Sequence, residues 1–250
     1  MIDYASLSPW LLLLAPVVIL IAYTVFGLSG FGSTIIAVPV LAHFLPVSYL
    51  VPLMALLDCA SAILVGRASR EHISKEELKR LTPFMLIGFV LGLTVLVGVP
   101  DRYLRTALGV FAVGVGIHSI LNPGIHRTIS RWWCIPAGVI GGAIATLFGA
   151  GGPIYATYLS GRLRDKSEIR STLSTLISIS AFIRAVLYAI SGLILHAAIF
   201  AGAAALSPFV WIGLKLGTRI HVGLSQVQMR RVVGTLLVLT GLSLLARMFL

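Results

Sequence analysis

Charged residues in this chain are gathered into short stretches, and the segments between them are apolar almost throughout. Apolar runs of about 20 residues mark membrane helices, and eight segments qualify: 9–27, 48–66, 82–99, 104–121, 132–148, 171–191, 197–216 and 232–249. Two further apolar pieces, 33–45 and 153–160, are too short to cross a bilayer as straight helices at about 1.5 Å per residue. Each follows a glycine-rich break, "GLSGFGS" (27–33) and "GAGGP" (149–153). The pattern predicts an all-α polytopic membrane protein with two interrupted helices.

Composition agrees. Of 250 residues, 58% are hydrophobic and 11% charged, with a mean hydropathy of +1.02, more apolar surface than a soluble core of this size can hide. The opening "MIDYASLSPWLLLLAPVVILIAY" has no Lys or Arg before its apolar run, so it reads as a retained helix and not a cleaved signal. The two cysteines, Cys59 and Cys134, form no metal-ligand pattern or disulfide framework and read as small core residues. The formal net charge of +11 does not point to nucleic acid, because Lys and Arg lie in loops between spans, where they first signal topology.

The chain repeats. Shifted by 125 positions, 83–116 falls on 208–241, matching Pro83 with Pro208, Gly88 with Gly213, Gly92 with Gly217, Arg105 with Arg230, Gly109 with Gly234 and Gly116 with Gly241. Shifted by 119, Gly30-Phe31-Gly32 meets Gly149-Ala150-Gly151. The difference fits an insertion in "GRLRDKSEIR" (161–170), and the halves are 1–125 and 126–250. Equivalent loops differ in charge. Segment 67–80 carries Arg67, Arg70, Lys75, Lys79 and Arg80, whereas its partner 192–196 carries no Lys or Arg. By the positive-inside rule, 67–80, 122–131, 161–170 and 217–231 are cytoplasmic, and both termini, 46–47, 100–103 and 192–196 are outside. Arg105 is on the disfavoured side, with Asp101 nearby to offset it. Equivalent loops on opposite sides predict inverted repeats.

This topology makes 9–45 and 132–160 helical hairpins that enter from opposite faces and turn at the glycines, each followed by three transmembrane helices. Irregular backbone at membrane depth survives only where protein or a water-filled cavity satisfies it. Return arms starting at Ser33-Thr34 and Pro153-Ile154 present free N–H groups and the positive end of a helix dipole, a setting that favours an oxyanion. The predicted substrate site is therefore Gly30, Gly32, Ser33, Thr34, Gly149, Gly151, Gly152 and Pro153. Close helix packing is the competing role for such glycines. Two charges lie well inside spans: Arg184, suited to an oxyanion through its fork of donors, and Asp58, a candidate for proton exchange or a coupling cation. A structural Asp58–Arg184 pair joining the halves is the alternative, and it implies that swapping the two charges restores the protein. His43 and His118 read as core or interface residues.

The motifs "GLSGFGSTIIAVPVL" and "TLFGAGGPIYATYL", each opening a half of about 125 residues and followed by a basic loop and proline- and glycine-bearing helices, resemble the sulfite exporter TauE/SafE family over nearly the whole chain. The resemblance implies a multi-pass inner-membrane transporter for sulfite, sulfoacetate or another sulfonate, coupled to protons or another ion. Ser33 departs from the family pattern, standing where a further glycine is usual. No Walker-type phosphate loop is present, so ATP is not the direct energy source, and neither a metal nor an organic cofactor is called for. Two rivals stand beside this reading. "GLSG" (27–30) matches the G-x-S-G of rhomboid-type intramembrane serine proteases, but no histidine shows a supporting pattern for the base a serine nucleophile needs. A passive anion channel keeps the same fold. Oligomeric state, transport direction and coupling ion are open at this point.

Overall fold

The structure, a computed structural model, describes residues 9–29, 32–65, 73–121, 128–219 and 226–247. These form ten α-helices and a short 3₁₀ turn, with no strand among the described residues. The helices are α1 (Pro9–Ser29), α2 (Ser33–Leu41), α3 (Val47–Val65), α4 (Lys75–Gly98), α5 (Asp101–Leu121), α6 (Cys134–Phe148), α7 (Gly152–Arg162), α8 (Lys166–Ile190), α9 (Ala197–Arg219) and α10 (Gln226–Ala246). Each apolar segment read from the sequence is helical over most of its described residues, and the two short pieces correspond to α2 and α7. Five helices, α4, α5, α6 with its preceding turn, α8 and α9, are long and apolar enough to cross a membrane. The fold is all-α and multi-pass.

Helix starts follow local chemistry. Asp165 caps α8 by accepting from the Glu168 N–H at 3.0 Å, which satisfies one of the orphan donors of the first turn. Glu76 and Glu77 sit in the first turn of α4 and Asp101 in that of α5, where the helix dipole favours negative charge. Asp101 also accepts from the Val47 N–H at 2.7 Å and pairs with Arg105 at 2.6 Å. Asp101 is thus paired with Arg105, as the sequence suggested. Outward faces are apolar, as at Ile87, Val90 and Leu91 of α4 and Ile190 of α8, which suits a hydrocarbon solvent.

Helices join along seams without side chains. A methyl group added to Gly88 of α4 would run into the Val139 carbonyl of α6, and one on Gly213 of α9 into the Leu20 carbonyl of α1. Gly92 meets Ala143 and Thr146, while Gly217 meets Thr24 and Gly27. Under the shifts found in the sequence, these are the same contacts made twice. In α5 and α10, Gly109 lies against Gly241 and Gly116 against Gly234, so the register runs in opposite directions along the pair. Small residues that let backbones approach are the usual basis of helix association in membranes. Below these seams, one apolar cluster centres on α1–α3 with residues such as Ile19, Val38 and Met54. A second lies between α4, α6, α7 and α8, with Leu81, Phe89, Tyr155 and Leu176.

Candidate functional site

Both interrupted helices turn at glycines in a left-handed conformation. Gly32, which precedes α2, has φ 104°, and Gly149, which follows α6, has φ 68°. Such angles are costly for residues bearing a Cβ. Gly151 differs: its φ is −68°, and what excludes a side chain there is space, since a Cβ would lie 2.7 Å from the Gly141 carbonyl oxygen. Helix α7 begins at Gly152, which makes Pro153 its second residue, a first-turn position where the missing N–H has no intrahelical role. A Cβ on Gly149 would strike the side chain of Thr34, so the two tips touch. Gly30 lies outside the described residues.

Between the tips is a cavity of about 20 Å³, lined by Gly32, Ser33, Thr34, Gly149, Gly151, Gly152 and Pro153 together with Asp58, Tyr155, Ser180 and Arg184. The structure thus brings together every described residue that the sequence marked for the site. The volume suits a water molecule.

Asp58 is the hub. The Tyr23 and Ser33 hydroxyls donate to its Oδ1 at 2.8 and 2.9 Å, and Thr34 donates to Oδ2 at 2.9 Å. Arg184 Nη2 approaches Oδ2 at 3.4 Å, while Nη1 donates to the Ala145 carbonyl at 2.9 Å and Nε to that of Ser180 at 3.3 Å. Tyr188 donates to the Thr146 carbonyl at 2.6 Å. Ala145 and Thr146 belong to the last turn of α6, where the Ala145 carbonyl also accepts from the Gly149 N–H at 2.8 Å, and a cation there is favoured by the dipole. The Ser33 and Thr34 hydroxyls are therefore directed at Asp58. The first tip already carries a resident carboxylate against the start of α2. The second tip faces Arg184 with no carboxylate of its own among the cavity residues.

Sequence reasoning missed Tyr23, Tyr155, Ser180 and Tyr188. A signal was present for two of them, because Ser180 and Tyr188 stand one turn to either side of Arg184 and share its face. It also missed a second buried carboxylate, Glu77. Glu77 accepts from the Tyr158 hydroxyl at 2.5 Å and from Arg162 Nε at 3.1 Å, both on α7, and from Arg80 Nη1 at 3.5 Å. Arg80 also pairs with Glu76. His43, at the end of the first return arm, has Nε2 3.0 Å from the Ser243 hydroxyl and Nδ1 3.0 Å from the Pro39 carbonyl. Cys59 and Cys134 are free thiols, and no cluster of metal-ligating side chains occurs among the described residues.

The family model described as Sulfite exporter TauE/SafE matches residues 15–244. Over 193 residues the chain is 26% identical to a protein of Comamonas testosteroni named "Probable inner membrane transporter protein TsaS", with 77% of this chain and 81% of that one covered. No solved structure matches. Two hairpin tips meeting at a buried ion pair, within a chain matched almost end to end, place this protein in the sulfite exporter TauE/SafE family of membrane transporters.

Proposed function

We propose that the chain is a secondary transporter of the inner membrane, moving a small sulfur-containing or related organic anion such as sulfite, sulfoacetate or another sulfonate, with ion or proton coupling. The observation that carries this reading is the meeting of the two hairpin tips around Arg184 and Asp58. Broken helices whose N-termini converge near the membrane centre are a recurrent way of binding anions in transporters. The halves 1–125 and 126–250 are read as inverted repeats within one membrane domain. The duplicated glycine contacts of α4 with α6 and α9 with α1, and the opposed register of α5 and α10, support that reading.

The substrate's acidic group is assigned to the second tip, at the start of α7 and beside Arg184, because Asp58 occupies the first. Asp58 is the coupling group: losing its charge on protonation, or sharing it with a cation, weakens its hold on Arg184, Ser33 and Thr34. Because the two tips touch across the cavity, loading of the site is read as a parting of the hairpins. Membership of a transporter family favours this reading over an intramembrane protease, and the side chain of Ser29 lies outside the described residues.

Counterflow in proteoliposomes against sulfite, sulfonates and carboxylates tests the assignment. Exchange of sulfite or a sulfonate is expected, with uphill accumulation under an imposed proton or sodium gradient. Downhill flux without accumulation under either gradient would make the protein a channel. The topology has its own test: a single cysteine replacing Lys75 should be labelled from the cytoplasm, and labelling from outside would sink the inverted arrangement.

A further inference from the structure

Tyr155 is fully buried in the first turn of α7 and lines the cavity between the tips. Its ring is wedged against Gly141 and Gly151, so its position is set by close contact with backbone on both arms of the hairpin. Its hydroxyl is the buried side-chain polar atom without a hydrogen-bond partner among the described residues. Every other tyrosine facing this region has one: Tyr23 on Asp58 and Tyr188 on Thr146. A buried hydroxyl that finds no partner is destabilising. Phenylalanine would fill the same space without that cost, so packing alone does not account for a tyrosine here. Its partner must therefore sit in the cavity: a water molecule, or the ligand that replaces it.

Resting on the reading of this cavity as the substrate site, we infer that the Tyr155 hydroxyl donates a hydrogen bond to an oxygen of the bound anion. Arg184 supplies charge and the start of α7 supplies N–H donors, so Tyr155 adds a neutral donor fixed in direction. Its effect is selective. An oxyanion with several accepting oxygens can satisfy Tyr155 and Arg184 together, whereas a smaller acceptor set leaves one of them unpaired, and unpaired site groups are a strong source of discrimination.

The test uses the full-length protein in proteoliposomes, with sulfite and methanesulfonate as probes, and compares Tyr155→Phe, Arg184→Lys and the parent chain. Tyr155→Phe should melt at the same temperature as the parent or higher without ligand, because an unpaired hydroxyl has been removed. Its KM for the better probe should rise about tenfold, the loss of one hydrogen bond, with the maximal rate little changed. An unchanged KM in Tyr155→Phe beside a raised KM in Arg184→Lys would overturn this inference and leave the site standing. A markedly lower melting temperature for Tyr155→Phe would also overturn it, by showing that the hydroxyl is structural. Absence of binding and uptake of both probes by the parent chain would bring down the functional reading and this inference with it.

Discussion

Asp58 and Glu77 invite comparison because each is a buried carboxylate, each holds a tyrosine hydroxyl and each faces arginine. Their surroundings differ. Arg184, opposite Asp58, is 2% exposed, and the hydroxyls on Asp58 come from α1 and the tip of α2. The arginines on Glu77, Arg162 and Arg80, are 27% and 30% exposed, and they reach it from the end of α7 and from its own helix. A buried pair is strongly destabilised when one partner is removed, since the other is left as an uncompensated charge. A half-exposed arginine that loses its partner turns to water. One carboxylate therefore depends on its partner, and the other mainly fastens the second return arm to α4.

The comparison yields graded expectations. Asp58→Ala should have the largest effect, a loss of about 3–5 kcal/mol, read as failure to accumulate folded protein or a steep fall in melting temperature. The double exchange Asp58→Arg with Arg184→Asp, a rescue on sequence grounds, should not restore the protein. A carboxylate at position 184 would face the carbonyl oxygens of Ala145 and Ser180, which now accept from the guanidinium. Recovery of folded, active protein by that exchange would show that the pair alone matters. Next, Glu77→Gln should cost about 1.5–3 kcal/mol, the scale of hydrogen bonds to a charged group, with KM unchanged in reconstituted transport. A changed KM there would erase the distinction between the two carboxylates. Smallest is Arg80→Ala, about 0.2–1 kcal/mol and reduced further by salt, measurable as a melting shift at two ionic strengths.

The same pair marks what could be read from the chain alone. The helices were legible because length and apolarity alone decide whether a segment spans a bilayer, and Asp58 and Arg184 stood out as charges inside such segments. Glu77 did not, because "SKEELKR" reads as a charged loop. Only with α4 starting at Lys75 does Glu77 join Leu81, Met85, Gly88 and Phe89 on one buried stripe. The glycines of the tips were legible, yet the direction of the Ser33 and Thr34 hydroxyls was not, because a free rotor shows its partner only in three dimensions. Tyr155 was hidden for a related reason. Its wedge against Gly141 joins residues on different arms of the hairpin, and an unpaired hydroxyl leaves no trace in a sequence.

The glycine seams carry a consequence for how the molecule can be divided. The first arm of each hairpin is seated on a helix from the other half, α1 on α9 and α6 on α4, through backbone contacts that leave no room for even a methyl group. Cutting the chain near residue 125 would strip these two seams and that of α5 with α10 at once, leaving each fragment with bare grooves and no occupants. The boundary that divides the sequence is thus not a boundary in the solid object. The two halves are packed into each other, and under the proposed parting of the tips a piece that swings as a rigid body would be assembled from both.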